Sequence, residues 1–529
     1  MAPRVKATAA VPKVGATAHH GASVTARDVA GWMPRRYSAD AEILPDLPAL
    51  VARSSDLDRN SGVARGGIQT IVDNVVGSGL RLSARPDYRM LGRTREWATD
   101  WAREVEARFH AWYWSTACHA GDSLTGDQLT AQVFRSALTR GEAIALPLWL
   151  PDRGATATRL QTVEADRLSQ PEGKAATVAF RGGIEFDAYG KPIAYHIRKT
   201  HPGDSALDLS TLPAWERIPR ETPFGRLRVI HIFDGERPGQ SRGKPLLASV
   251  LPQFKNLDRY TQAELQAAVV NALVAMTITT PMDQESIIEL FNRDTNAYLK
   301  AREDAAGLKL SSGGILPLFP GDKAEGFMPA RPATAFDAFV TNVYRLIAVG
   351  LDMPYELLLK DFSKTNYSSA RAALLEAWRS FNRRRDWLGT TWLDRVYALW
   401  FEEVANAGTI DAPGFYANRW AYLRCRWVGP GRGWVDPLKE ASAAEKRMAI
   451  SVSTLEDECA EQGRDWREVL EQLAIEKAER DRLGLTPPPP VIVAPGGGDP
   501  AADADEGDEP AAPGNEPRSG DDAPAQSVP

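Results

Sequence analysis

The 529-residue sequence predicts an α+β fold that is predominantly helical. Three observations carry that reading. Leu374, Trp378, Phe381, Leu388, Trp392, Val396 and Leu399 recur mostly three, four or seven positions apart, which is one long apolar helical stripe. Between Glu142 and Asp234 the pattern changes to short apolar and β-branched runs separated by turn residues, which is the pattern of strands. Composition is that of an ordinary globular chain, 43% hydrophobic and 25% charged.

Taken in order, residues 1–35 are rich in Ala, Val, Thr and Gly and show no periodicity, so they are expected to form a disordered N-terminal arm. Val63, Ile68, Ile71, Val72 and Val75 outline a helix ended by Gly77, and Trp97, Trp101, Val105, Phe109 and Trp112 outline a second. A third runs from Gln128 to Thr139 and stops at Gly141. Strands follow at EAIALPLWL from Glu142, TRLQTVEA from Thr158, and GIEFD and KPIAYHI around a hairpin turn at Ala188-Tyr189-Gly190. VIHIFD from Val229 closes this region. Phe254, Leu257, Tyr260, Leu265, Val269 and Leu273 predict a helix from Pro252, and Phe336, Phe339, Val340, Val343 and Ile347 predict another that stops at Gly350. Residues Thr277 to Pro332 between them are a Gly- and Pro-punctuated insertion.

The second of these helices leads into DFSKTNYSSARAALLEAWRSF from Asp361. Ser363, Thr365, Asn366, Tyr367, Ser368 and Ser369 crowd into seven positions, with Lys360 and Lys364 as the cations beside them. Ser368 is the expected N-cap of the long helix, which should reach Ala407 and stop at Gly408. Such a helix of about 40 residues would be ~60 Å long. The aromatic stretch Phe415 to Val428 is expected to be strand. Ser453 with Glu456 and Asp465 with Glu468 suggest capping boxes for two final helices. From Leu485 onward, nine acidic residues and one basic residue lie among Pro, Gly and Ala, so a disordered tail is expected. The net charge of −6 therefore leaves residues 1–484 near neutrality, without the global basic character that holds nucleic acid tightly.

Several function classes lack their motifs. The most apolar stretch, AAVVNALVAMTITT from Ala267, is 14 residues, whereas a membrane span needs about 20. The N-terminus has basic residues but no apolar core of a secretory signal. Cys118, Cys425 and Cys459 are scattered, which argues against zinc and for a reducing compartment. No HExxH, GxSxG or dinucleotide fingerprint occurs, and GQSRGKP has Pro238 and Pro245 where a phosphate loop needs Gly and Ser or Thr. No catalytic residue, metal or cofactor is therefore expected. Arg383, Arg384 and Arg385 form the densest basic run and are candidates for intersubunit or nucleic-acid contact, although consecutive residues point in different directions around a helix.

RSSDLDRNSGVARGGIQTIVDNVVGSGLRL from Arg53, VEADRL from Val163, DAYGKPIAYH from Asp187, HIFDGERPGQSRGKPLLASVL from His231, DFSKTNYSSARAALLEAWRSF and WVDPLKE from Trp434 together resemble, in order, the blocks of the lambda-type portal proteins of tailed bacteriophages. The resemblance implies a ring oligomer, usually a dodecamer, at one capsid vertex of the virion, assembled in the host cytoplasm. It also implies a channel for double-stranded DNA during packaging and ejection. Implied partners are the terminase large subunit, head-completion or connector proteins, and major capsid and scaffold proteins, with no membrane.

Carried onto this chain, the resemblance implies a portal-type architecture of wing, stem, clip and crown. The α+β wing would span 36–243, the first stem helix 244–271, the clip 272–332 and the second stem helix 333–353. A tunnel loop at 354–367, a long wing helix at 368–408, a wing return at 409–438, a helical crown at 439–484 and the tail at 485–529 would follow. Lys360, Ser363, Lys364, Thr365, Asn366 and Tyr367 would then face the channel, either touching DNA without sequence preference or forming a hydrogen-bonded belt between subunits. About twelve helices each ~10 Å wide would enclose a bore of ~28 Å, against roughly 20 Å for B-DNA. A DNA-packaging enzyme, terminase ATPase or nuclease, is the competing class and lacks its phosphate-loop and clustered-carboxylate motifs here. A capsid or scaffold protein is the third class and predicts shells where a portal gives rings. Removal of the tail after Leu485 is expected to leave assembly unchanged in negative-stain images, because its composition cannot pack an interface.

Overall fold

The structure, a computed structural model, describes residues 19–206, 214–273, 277–279, 289, 296, 300, 323–325, 336–363, 365–433 and 436–485. Two compact units divide the chain, residues 1–466 and 467–529. Helix α1 (Ala39–Asn60) starts at Ser38, whose side chain accepts the Ala41 N–H. Periodicity does not foresee this helix, because Pro45 and Pro48 lie inside it and interior prolines delete helical hydrogen bonds. Tertiary contacts compensate: Leu47, Val51 and Ser54 are buried, and Ser54 Oγ donates to the Thr139 carbonyl at 2.6 Å.

The three helices read from apolar spacing follow. Helix α2 (Gly62–Val75) buries Ile68, Ile71, Val72 and Val75 and leads into strand β1 (Arg81–Ala84). Helix α3 (Arg95–Tyr113) buries Trp101, Val105, Phe109 and Trp112. Helix α4 (Gly126–Arg140) opens on a Thr125–Gln128 capping box and closes at Gly141, whose φ of 87° suits glycine.

Strands β2 (Glu142–Trp149), β3 (Thr158–Val163), β4 (Phe180–Arg181), β5 (Ile184–Phe186), β6 (Pro192–Arg198), β7 (Trp215–Pro219) and β8 (Ile230–Phe233) make two antiparallel sheets, ordered β3-β2-β8 and β4-β5-β6-β7. The turn from β5 to β6 contains Gly190 at φ 82°, where the hairpin was expected. Ile144 and Val163 from the first sheet meet Ile184, Tyr195, Ile197 and Ile218 from the second in a core of their own.

Helix α5 (Leu251–Leu273) begins at Leu251, because Leu246–Ser249 is a separate 3-10 turn led by Pro245. Strands β9 (Thr277–Thr279) and β10 (Lys323–Glu325) pair antiparallel across the insertion, most of which lies outside the described residues. Helix α6 (Phe336–Gly350) returns alongside α5, with the Tyr260 ring stacked on Phe336 at 5.6 Å and edge-on to Phe339 at 5.0 Å.

After the short helix α7 (Tyr355–Leu359) comes the long helical stretch. It comprises α8 (Tyr367–Leu388), a π turn (Gly389–Leu393) and α9 (Asp394–Asn406), with helical backbone at both junctions. The expected uninterrupted α-helix is thus corrected by one widened turn. There Thr390 and Thr391 donate hydroxyls back to the Asp386 and Trp387 carbonyls at 3.0 and 2.6 Å, where the backbone ladder changes register. The stretch ends before Gly408, at φ 71°. Phe109 stacks on Tyr113 and meets Tyr397 and Trp400 edge-on, while Trp392 Nε1 donates to Thr130 Oγ1 at 2.9 Å, so α9 lies at the centre of the main core.

The tract Phe415 to Val428 corrects another expectation. Only its end is strand: helix α10 (Arg419–Leu423) precedes β11 (Cys425–Val428), which pairs with β1. Phe415 and Tyr422 pack on Phe401 instead of joining a sheet. Helices α11 (Pro437–Ala449), α12 (Leu455–Glu461) and α13 (Trp466–Leu483) finish the described chain, none with a buried residue. The cap of α12 is Thr454, which accepts the Asp457 N–H, one position after the expected Ser453–Glu456 box.

Candidate functional site

The polar segment before α8 is a chain of local hydrogen bonds. Lys360 ends α7 in the left-handed region at φ 57° and is exposed. Ser363 N–H donates to Asp361 Oδ1 at 3.0 Å, and Thr365 N–H to the Phe362 carbonyl at 3.2 Å. Asn366 Oδ1 then accepts both the Ser369 N–H at 2.8 Å and the Ser368 hydroxyl at 3.1 Å. Asn366, and not Ser368, is therefore the N-cap: its backbone is extended at φ −76°, ψ 163°, while Ser368 already lies within the helix. Ser363 and Asn366 are exposed and Thr365 is half-buried. Lys364 lies outside the described residues, as does the Tyr367 side chain. Asn366→Ala is expected to cost about 1 kcal/mol in a urea unfolding measurement, with Asn366→Asp recovering most of it.

The three arginines do not share one direction: Arg385 turns to the end of α2, while Arg383 and Arg384 both reach Asp352. Arg385 reaches the C-terminal end of α2, donating to the Asn74 carbonyl at 2.8 Å and the Val75 carbonyl at 3.2 Å, and to Pro430 at 3.2 Å. A cation there satisfies open carbonyls and complements the helix dipole. Arg384 is buried and donates to the Leu351 carbonyl at 3.2 Å and Asp352 at 3.4 Å. Arg383 has a side chain 58% exposed, between Asp234 at 3.7 Å and Asp352 at 3.6 Å. Two of the three expected contact residues thus have their guanidiniums engaged within the chain, and Arg383 is the one presented outward.

The GQSRGKP segment is a structural clamp that motif reading missed. Arg242 Nε lies 2.8 Å from both carboxylate oxygens of Glu142, and its Nη1 donates to the Leu168 and Gly182 carbonyls at 2.7 and 2.9 Å. His231 Nε2 is 3.0 Å from Glu142 Oε2, and the Gly243 N–H is 3.3 Å from the same oxygen. Burial pushes the Glu142 carboxyl up, but Arg242 and the His231 hydrogen bond outweigh it and hold the group at about 2. Gly243 crosses the backbone at Gly141 so closely that a Cβ on it would stand 1.9 Å from the Gly141 oxygen. Through this clamp the segment leading to α5 is fixed to β2, 100 residues earlier. Among the described residues no group of three or more His, Cys, Asp or Glu is arranged to hold a metal ion, and no helix is long and apolar enough to cross a membrane.

The sequence defines the class: residues 25–385 fit the model described as phage portal protein, lambda family. The chain is 31% identical over 496 residues to the portal protein of Escherichia phage N15, covering 90% of this chain and 92% of that one. It is 30% identical over 500 residues to portal protein B of Escherichia phage lambda, with the same coverage. A solved structure of the neck of an empty GTA particle shares 14% identity and a TM-score of 0.45, covering 88% of this chain and 100% of that one. The chain belongs to the lambda family of phage portal proteins.

Proposed function

We propose that the chain assembles into a closed ring, a dodecamer, that forms the channel for double-stranded DNA at one capsid vertex, without enzymatic activity of its own. The observation that carries the ring is the pair α5 and α6. Leu265, Val269, Phe339, Leu346 and Val349 remain 50–75% exposed on these helices, an apolar surface that neighbouring copies would cover. In this reading residues 36–243 and 368–438 form the wing, 244–271 and 333–353, which hold most of α5 and all of α6, the stem, 272–332 the clip and 439–484 the crown. The terminase large subunit, connector proteins, and capsid and scaffold proteins would dock on the ring, which assembles in the host cytoplasm and becomes part of the virion. Mass measurement in dilute buffer is expected to give a large multiple of 57.9 kDa and negative stain to show rings. A monodisperse monomer under all salt conditions would overturn the reading.

Within the ring, Lys360, Ser363, Lys364, Thr365, Asn366 and Tyr367 face the channel, and Lys364 and Asn366 meet the phosphate backbone. Support comes from the exposure of Lys360, Ser363 and Asn366 and from a near-neutral chain that would touch DNA without holding it. The double variant Lys364→Ala/Asn366→Ala is expected to keep rings and to lower DNA packaging or retention. Failure of ring assembly would instead assign the segment to a belt between subunits.

A further inference from the structure

Beneath Arg383 lies a cavity of about 330 Å³, walled by Phe134, Leu138, Leu246 and Trp387. Its polar lining has three cations, Arg383, Arg384 and Lys244, and three carboxylates, Asp234, Asp352 and Glu236. Formal charge balances, but hydrogen bonding does not. Lys244 and Glu236 form a closed pair at 2.6 Å. Arg384 directs only Nη2 to partners; its Nη1 is buried with no acceptor among the described residues, and its side chain is 8% exposed. Arg383 at the mouth reaches Asp234 and Asp352 only at 3.7 and 3.6 Å, too far for a hydrogen bond.

A buried guanidinium donor without an acceptor is costly, and two adjacent guanidiniums with unspent donors suit an acceptor that carries several oxygens. We propose that this cavity binds an oxyanion group, with Arg384 at its floor and Arg383 at its mouth. The oxyanion is either free in solution or the carboxylate of an acidic side chain from a second copy. Both offer the planar or tetrahedral oxygens that a guanidinium fork recognises. Bound there, it would tie the end of α6 to the long helix and to the strand end at Asp234. A free anion needs neither the ring nor DNA contact, whereas the second-copy carboxylate rests on association of copies.

The full chain is titrated with inorganic phosphate against chloride at equal ionic strength, reading heat of binding, melting temperature and oligomer mass. Saturable binding with a raised melting temperature, weakened at least tenfold in Arg383→Gln and lost in Arg384→Gln, is the expected result for a free anion. Arg383→Gln alters an exposed side chain and keeps the test valid if Arg384→Gln does not fold. Phosphate that lowers oligomer mass in the wild type, with the same loss of mass in Arg383→Gln, assigns the oxyanion to a second copy's carboxylate. Phosphate indistinguishable from chloride in all three readouts would overturn the proposal and leave the Nη1 donor to water.

Discussion

Arg242→Ala is expected to destabilise the chain by about 3–5 kcal/mol in chemical unfolding, because removing one partner of a buried pair leaves the other charge uncompensated. Glu142 is 1% exposed and would keep only His231 and the Gly243 N–H. The pH dependence should change with it. In the native chain Glu142 is held at about 2, below its ordinary value of 4.5, so its contribution is fully present above that ordinary value and is lost as pH falls toward 2. In Arg242→Ala, burial is no longer opposed by the guanidinium, so the carboxyl should rise above its ordinary value. That variant should then gain stability as pH falls toward 4.5, a range in which the wild-type contribution of Glu142 stays constant, the wild type losing it only below 4.5. Replacing both residues with apolar ones of similar volume is expected to recover much of the loss. An unchanged acid profile in Arg242→Ala would show that the pair does not set the charge state of Glu142.

Leu346→Asp/Val349→Asp is expected to abolish assembly while leaving the single chain folded. Both side chains are exposed in the isolated chain, at 65% and 75%, whereas Ile347 and Ala348 between them are buried against its own core. A carboxylate at either exposed position meets water in a monomer but would be buried without a partner under a neighbouring copy. Circular dichroism and melting temperature should therefore stay close to wild type while measured mass falls to one chain. Rings that persist in the double variant would place the intersubunit surface elsewhere.

Much of this molecule was legible locally. The stripes of α2, α3, α6 and the long helix, the stops at Gly77, Gly141 and Gly408 and the hairpin at Gly190 all depend on residues within a few positions of one another, and sequence spacing records such dependence directly. The family blocks were legible for the same reason, as contiguous runs. Within one turn of a helix, however, spacing could not choose between Ser368 and Asn366 as the cap, because both side chains can accept and backbone conformation alone decides. Only tertiary structure could tolerate Pro45 and Pro48 inside α1, seat the π turn with Trp392 against Thr130, and send Arg385 to the end of α2 while Arg383 and Arg384 share Asp352. The same holds for Arg242, which a motif search weighs only against its neighbours in sequence. Its partners are Glu142, Leu168 and Gly182, 60–100 positions away, and the low dielectric they share turns a polar loop residue into the clamp between that loop and β2.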